Sequence, residues 1–297
     1  TVTFGQPTSV RVRIPAGCGQ ARSVTIRTQD QPAMELTVSG STARGTIAWT
    51  TLGNIPVSAR VTFASGRTSA SLRSSVNVVL PQATRFQMVY AVPEDKSQVA
   101  ERVPAMELDA SVVREWFAKQ MGDRTIRLVE DASGDPLVLQ LSTGRTSSEH
   151  LSDRLDFTSD VVAKWFNEGQ LAPGTLPIVY LEGRQAELDY CGWATSYRIA
   201  HIVIPMDNCE IYPGSAQWGF PYGSTYILAH EIAHALGAVS DSAPHSDGTS
   251  HVDDDPRDIL YNGSKDRDWN NLMLDPGNDD YFRTGRSDLI NIENSPL

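Results

Sequence analysis

The chain has 297 residues, enough for two ordinary domains, and 40% of them are hydrophobic, enough to fill real cores. Its formal net charge of −11 argues against nucleic acid or an anionic membrane surface as partner. No apolar run is long enough to insert across a membrane, and such acidity suits a soluble, secreted enzyme and many cytosolic proteins equally.

The N-terminus, Thr1-Val2-Thr3-Phe4, does not read as a secretion signal, so any such leader is expected to have been removed. Residues 1 to about 83 are strand-rich. Val10, Val12 and Ile14 alternate with arginines, and the pattern recurs at Val24 and Ile26, Leu36 and Val38, Ile47 and Trp49, Val57 to Phe63, and Leu72 to Val78. Short alternating strands separated by Gly, Ser, Thr and Asn predict a small antiparallel sandwich of immunoglobulin-like type. This part holds no histidine and no acidic cluster, so its expected role is a spacer or docking module, with carbohydrate or partner binding as the alternative. Pro81-Gln82-Ala83-Thr84 reads as the linker to a second domain over 84–297.

From residue 84 the pattern changes. Phe86 to Val92 predicts a strand ending at Pro93. A helix follows, capped by Asp109 or Ser111, with Val112, Val113, Trp116, Phe117 and Met121 facing inward. Thr125 to Val129 and Leu137 to Leu141 predict strands. A second helix starts near Ser159-Asp160, turns Val161, Val162, Trp165 and Phe166 inward, and ends at Gly169. Strands are then expected at Ile178 to Leu181 and Ala200 to Ile204. His201, among apolar strand residues, reads as structural; His150, beside Glu149 in a Ser-rich stretch, reads as solvated. Of three cysteines, Cys191 and Cys209 flank predicted β segments and are expected to pair, which requires an oxidising compartment, while Cys18 has no evident partner.

The stretch Ala229-His230-Glu231-Ile232-Ala233-His234-Ala235-Leu236-Gly237 contains H-E-x-x-H. On a helix, His230 and His234 stand one turn apart on the same face and can reach one ion. Glu231 is placed to take a proton from a metal-activated water, which is the arrangement of a zinc metalloprotease. The surrounding residues make this helix apolar nearly all round, hence buried, with Ser224 as its cap and Gly237 as its stop.

The order of strands and helices before this motif is similar to that of zinc proteases of the metzincin group. The tail departs from that group's simplest pattern, because Ser240 stands where its third ligand would fall. A downstream glutamate ligand is excluded by inventory, since Glu293 is the only glutamate after Glu231. The segment from His245 through His251 to Asp258-Ile259-Leu260-Tyr261, and the closing Leu274-Asp275-Pro276-Gly277-Asn278-Asp279-Asp280-Tyr281, resemble the tails of a group of secreted bacterial metalloproteases, and Phe86 to Tyr90 resembles the opening of their catalytic domain. That resemblance covers roughly 86 to 282. It implies an α+β chain: a small N-terminal all-β immunoglobulin-like sandwich, then a metzincin-like zinc protease domain with a twisted mixed sheet and an active-site helix.

The resemblance makes His251 the first choice for third zinc ligand, with His245, Asp241 and Asp258 as alternatives. It puts Leu260 where related turns carry methionine, as an apolar floor, and makes Tyr261 a candidate oxyanion donor. Residues 241–280 hold eleven aspartates against three basic residues, so Asp253, Asp254, Asp255 and Asp258, with Asp275, Asn278, Asp279 and Asp280, are candidates to bind calcium. The expected activity is zinc-dependent cleavage of a protein or peptide substrate. The rivals are a zinc hydrolase of a non-protein or cell-wall amide and an inactive surface or adhesion protein.

Overall fold

A computed structural model describes residues 1–4, 6–14, 19–28, 33–49, 53–69, 71–79, 82–122, 124–152, 156–184, 190–195, 200–208, 223–263 and 268–297. The chain is α+β, with two sheets and few helices. It divides into two compact units, Thr1–Gln82 with Trp165–Gly174, and Ala83–Lys164 with Thr175–Leu297.

In the first unit seven strands follow one another: β1 (Val2–Thr3), β2 (Pro7–Arg13), β3 (Ala21–Thr28), β4 (Met34–Ser39), β5 (Thr42–Ala48), β6 (Gly53–Phe63) and β7 (Leu72–Val79). They lie in the order β1-β7-β6-β3-β4-β5-β2, antiparallel except for the β1–β7 pair. The alternation read in the sequence decides which side chains turn inward: Val24, Ile26, Leu36, Ala43, Ile47 and Val61 are buried in one core. β4 serves two partners, pairing with β3 through Met34–Leu36 and with β5 through Thr37–Ser39. Leu36 fits there because Gly45 opposite has no side chain; a Cβ at Gly45 would lie 2.5 Å from Leu36 Cδ2.

The second unit is built on β8 (Arg85–Val92), β9 (Val138–Ser142), β10 (Thr175–Leu181), β11 (Trp193–Thr195) and β12 (His201–Pro205). Their order is β11-β12-β10-β8-β9, with the last four parallel and β11 antiparallel at one edge. Every residue of β10 and β12 is buried, which is why these strands read as unbroken apolar runs rather than alternating ones. Among the described residues four α-helices follow in the chain: α1 (Arg102–Met121), α2 (Ser147–Ser152), α3 (Asp156–Asn167) and α4 (Gly223–Ala235).

Several expectations need correction. α1 begins well before Asp109 or Ser111. Pro104 is tolerated in its first turn, where no intrahelical donor is required. Asp109, buried, instead accepts a hydrogen bond from the Thr225 hydroxyl of α4 at 3.1 Å, and the Ser111 hydroxyl bonds back to the Glu107 carbonyl at 2.9 Å. Thr125 to Val129 forms only a single bridge, Leu128 to Phe86. Ser224 lies inside α4 rather than capping it. His150 is buried, not solvated: Glu149 accepts from the Thr146 backbone amide at 2.7 Å and from the Thr146 hydroxyl at 2.8 Å, which fixes the start of α2, and His150 turns inward, 3.0 Å from the Thr143 hydroxyl. The expected Cys191–Cys209 bridge and the lone Cys18 involve residues outside those described.

Candidate metal centre

α4 carries two of the three candidate ligands and is closed by a backbone motif that needs glycine. Ala238 N–H bonds to the Ala233 carbonyl at 3.1 Å and Gly237 N–H to the His234 carbonyl at 2.9 Å, with Gly237 at φ +101°. This is the Schellman stop, and it ends the helix just after its second histidine. The helix is buried along Leu228, Ala229, Ile232 and Ala233, so its histidines are held by core packing.

His230 and His234 approach Nε2 to Nε2 at 3.2 Å, and His251 Nε2 lies 3.3 Å from His230 Nε2. In two of these rings the other nitrogen is spoken for. His230 Nδ1 is 2.8 Å from the Ile259 carbonyl, and His251 Nδ1 is 2.9 Å from the Thr249 carbonyl. A carbonyl only accepts, so in both rings Nδ1 carries the proton and Nε2 offers a lone pair. Tyr226, one turn before His230, donates to the same Ile259 carbonyl at 3.2 Å and packs its ring against the imidazole, with 5.8 Å between centroids.

His251 owes its place to Asp247. That carboxylate accepts from the Thr249 amide at 2.7 Å, the Thr249 hydroxyl at 2.7 and 2.8 Å, the His251 amide at 3.2 Å, and the Asn262 side chain. Burial works to raise the Asp247 carboxyl, but these hydrogen bonds outweigh it and hold it down at about 2. Val252, next in the chain, is fully buried and bonds its amide to the Leu260 carbonyl, locking the loop to the turn below it.

That turn runs from Asp258 to Tyr261, closed by Tyr261 N–H on the Asp258 carbonyl at 3.1 Å. Asp258 Oδ1 accepts from the Leu260 amide at 2.6 Å and from the Tyr281 hydroxyl at 2.7 Å. Burial, with Asp275 nearby, pushes the Asp258 carboxyl up to about 7. Asp275 Oδ2 in turn accepts from the amides of Asp280, Tyr281 and Phe282 at 2.8–3.0 Å. The closing segment thus braces the turn that carries Ile259, and Ile259 orients His230. Leu260 is fully buried in the core shared with Ile232 and Ala233.

Glu231 is buried, and Gly192, just before β11, lies directly against it. A Cβ at Gly192 would stand 3.0 Å from Glu231 Cγ, 3.0 Å from Glu231 Oε1 and 3.0 Å from Ile227 Cγ2. The ring of Tyr261 lies over Gly263, where a Cβ would meet Tyr261 Cε1 at 2.5 Å. Of the other candidate ligands, Asp258 is engaged in the turn, Asp241 is exposed, and His245 sits elsewhere. His245 Nδ1 is 3.1 Å from Asp280 and 3.7 Å from each of Asp254 and Asp279. The Asp280 hydrogen bond keeps the His245 imidazole above its ordinary value.

Three nitrogens around one tetrahedral zinc at 2.0–2.1 Å must be about 3.3–3.4 Å apart. The 3.2 and 3.3 Å separations match that requirement, and three neutral imidazole donors are a ligand set zinc accepts. Sequence reading singled out the three histidines and Glu231 but missed Asp247, Gly192 and Tyr226, and took Asp275 as a calcium candidate where the structure uses it to hold the backbone amides of Asp280, Tyr281 and Phe282. Only Asp247, in Asp247-Gly248-Thr249, left a local trace as a turn signal.

No protein-family model matches the chain, and no curated protein does. Among solved structures it is similar to wild-type OgpA from Akkermansia muciniphila, at 12% identity and a TM-score of 0.44, over 67% of this chain and 60% of that one. It is also similar to metalloproteinase-II from Bacteroides fragilis, at 11% identity and a TM-score of 0.34, over 91% of this chain and 93% of that one. A polysaccharide deacetylase from Bacillus cereus follows at 9% identity and a TM-score of 0.22, over 60% of each chain. The chain therefore spans three-fifths of the length of OgpA. These similarities are too loose to assign an activity, which rests on the site's own geometry.

Proposed function

We infer that the chain is a zinc-dependent endopeptidase acting on protein or peptide substrates, with His230, His234 and His251 as metal ligands and Glu231 as general base. The convergence of three imidazole Nε2 atoms at 3.2 and 3.3 Å, with Nδ1 protons of His230 and His251 held by carbonyls, carries this reading. Bound there, zinc supplies a Lewis acid that polarises the scissile carbonyl and acidifies a water. Glu231 takes the water's proton on a carboxylate oxygen and passes a proton to the departing amine nitrogen. Its burial removes competing solvent from that transfer. Tyr261, at the end of the turn that carries Ile259, is the candidate second donor to the carbonyl oxygen as charge develops there.

The same reading places the protein outside the cell, with Cys191 paired to Cys209, and takes residues 1–83 as an immunoglobulin-like sandwich ahead of a catalytic domain over 84–297. For calcium, the carboxylates of Asp254, Asp279 and Asp280 are the place to look, because they lie together around His245. A calcium-dependent rise in melting temperature that Asp280→Asn abolishes is the expected sign.

The test is metal analysis and peptide cleavage on the same samples. Glu231→Gln is expected to keep its zinc and lose roughly 10²–10⁴-fold in kcat. His251→Ala is expected to lose zinc and activity together, while His245→Ala keeps both. Retained turnover in Glu231→Gln removes the general base; zinc that is indifferent to His251 removes the ligand set. Zinc without cleavage of any peptide, but with hydrolysis of a cell-wall amide, transfers the site to that substrate.

A further inference from the structure

The net charge of −11 conceals two opposite halves. Residues 1–82 contain eight arginines, no lysine and two acidic residues, whereas residues 83–297 contain seventeen basic and thirty-four acidic ones. All eight arginines (Arg11, Arg13, Arg22, Arg27, Arg44, Arg60, Arg67 and Arg73) are exposed. The ion pairs found among the described residues all lie in residues 102–293.

Three of these arginines share one face of the sheet. Register puts Arg11 of β2 directly opposite Arg44 of β5, and Arg44 opposite Thr37 of β4. Arg13 follows on the same face, opposite Thr42. Like charges directly opposite on neighbouring strands destabilise a sheet, and the exposed carboxylate nearest in register, Glu35 of β4, lies opposite Thr25 of β3 rather than opposite any of these arginines. Between them runs a shallow groove of about 520 Å³, lined by Arg11 and Arg44 together with Ser9, Thr37 and Thr46. The face is therefore made of guanidinium forks and hydroxyls, at the open edge formed by β2.

We propose that the β2–β5–β4 face of the N-terminal unit binds an acidic polysaccharide, with sulfate or carboxylate groups held between Arg11, Arg13 and Arg44. Guanidinium forks match such oxyanions two bonds at a time, and an anion between Arg11 and Arg44 cancels their repulsion. The flanking hydroxyls suit sugar hydroxyls. Nucleic acid fits less well, since recognition of single strands leans on aromatic stacking, and Phe4, Trp49 and Phe63 of this half are buried or turned into its core. A membrane surface fits less well because the face presents no large apolar side chain to insert. The inference stands apart from the metal site and does not depend on its activity.

The test uses the full chain. It is titrated calorimetrically at low ionic strength with heparin, a sulfated polysaccharide, and with polygalacturonate, a carboxylated one, so that the two sources of oxyanion are told apart. Saturable binding to at least one is expected, weakening as salt is raised. The double variant Arg11→Ser with Arg44→Ser is expected to bind roughly tenfold or more weakly, with unchanged melting temperature and unchanged metal content. Arg11→Lys with Arg44→Lys keeps the charge and is expected to recover only part of the affinity. Full affinity in the serine variant overturns the proposal, and so does stronger binding of duplex DNA or phosphatidylserine vesicles than of either polysaccharide.

Discussion

Gly192 and Asp247 are the two residues whose chemistry is least visible in their own identities. Glu231 keeps its position because the backbone at Gly192 passes against its carboxylate without a side chain between them. Gly192→Ala puts a methyl group 3.0 Å from Glu231 Cγ and Oε1, so the carboxylate must move aside. The shift needed is a few tenths of an ångström, and since about 1 Å of misplacement costs roughly 10²-fold in turnover, a smaller loss than that follows. The expected outcome is a fall in kcat with zinc content and KM little changed; a variant of full activity shows that Glu231 has room to spare. Asp247 acts on the metal at one remove, by fixing the loop that presents His251. Asp247→Ala is expected to weaken zinc binding by 10–100-fold, as removal of outer-shell partners does, while the melting temperature of the metal-free protein barely moves. Competition with a zinc-selective chelator measures it, and unchanged affinity sinks the assignment.

At the scale of elements, what the sequence disclosed depended on whether the deciding signal was local. The strands of the first unit were legible because one alternation both forms and orients each of them, as at Val24 and Ile26 of β3. α4 was legible in type and in its C-terminal stop, because Gly237 adopts a backbone conformation that favours glycine. The start of α1 was not, since Asp109 and Ser111 have the composition of caps but are used in other bonds, one of them to a helix more than a hundred residues away. His251 could be narrowed only to a short set, because what carries it to His230 is a chain of contacts through Asp247, Val252 and Leu260 with no periodicity of its own. α2 shows the cost of reading polarity alone. Its histidine is buried, and burial, then the Arg145 charge, holds His150 down at about 4 from an ordinary value of 6.5. A lowered folded-state value means the unfolded chain takes up the proton first, so His150's contribution is present above pH 6.5 and is lost as pH falls toward 4. His150→Gln is expected to flatten the stability-against-pH curve of the folded protein in that window, measured by urea unfolding at successive pH values. An unaltered slope means the imidazole is protonated in place.

Across the whole molecule, two cores close separately. Val24, Ile26, Leu36, Ile47 and Val61 form one, and the sheet of the second unit forms another with α1, α4 and the turn at Ile259 and Leu260. All three candidate metal ligands, Asp247 and the bracing residues Asp258, Asp275 and Tyr281 belong to the second. A ligand that binds only the folded form stabilises whatever unit must be folded to bind it, by about 4 kcal/mol when present at a thousand times its dissociation constant. Zinc should therefore stabilise the second unit and leave the first alone. Without it, His230 and His251 keep two lone-pair-bearing ring nitrogens 3.3 Å apart, an arrangement that favours opening of the loop carrying His251. Calorimetry of the protein as purified, after chelation, and after return of zinc is expected to show one transition that falls and recovers and a second that stays fixed. Limited proteolysis should then cut the chelated protein first within residues 246–251, the stretch that His251 ties to α4. Equal movement of both transitions, or first cleavage among the strands of residues 1–82, means that the metal, if bound, is held elsewhere than between these three histidines.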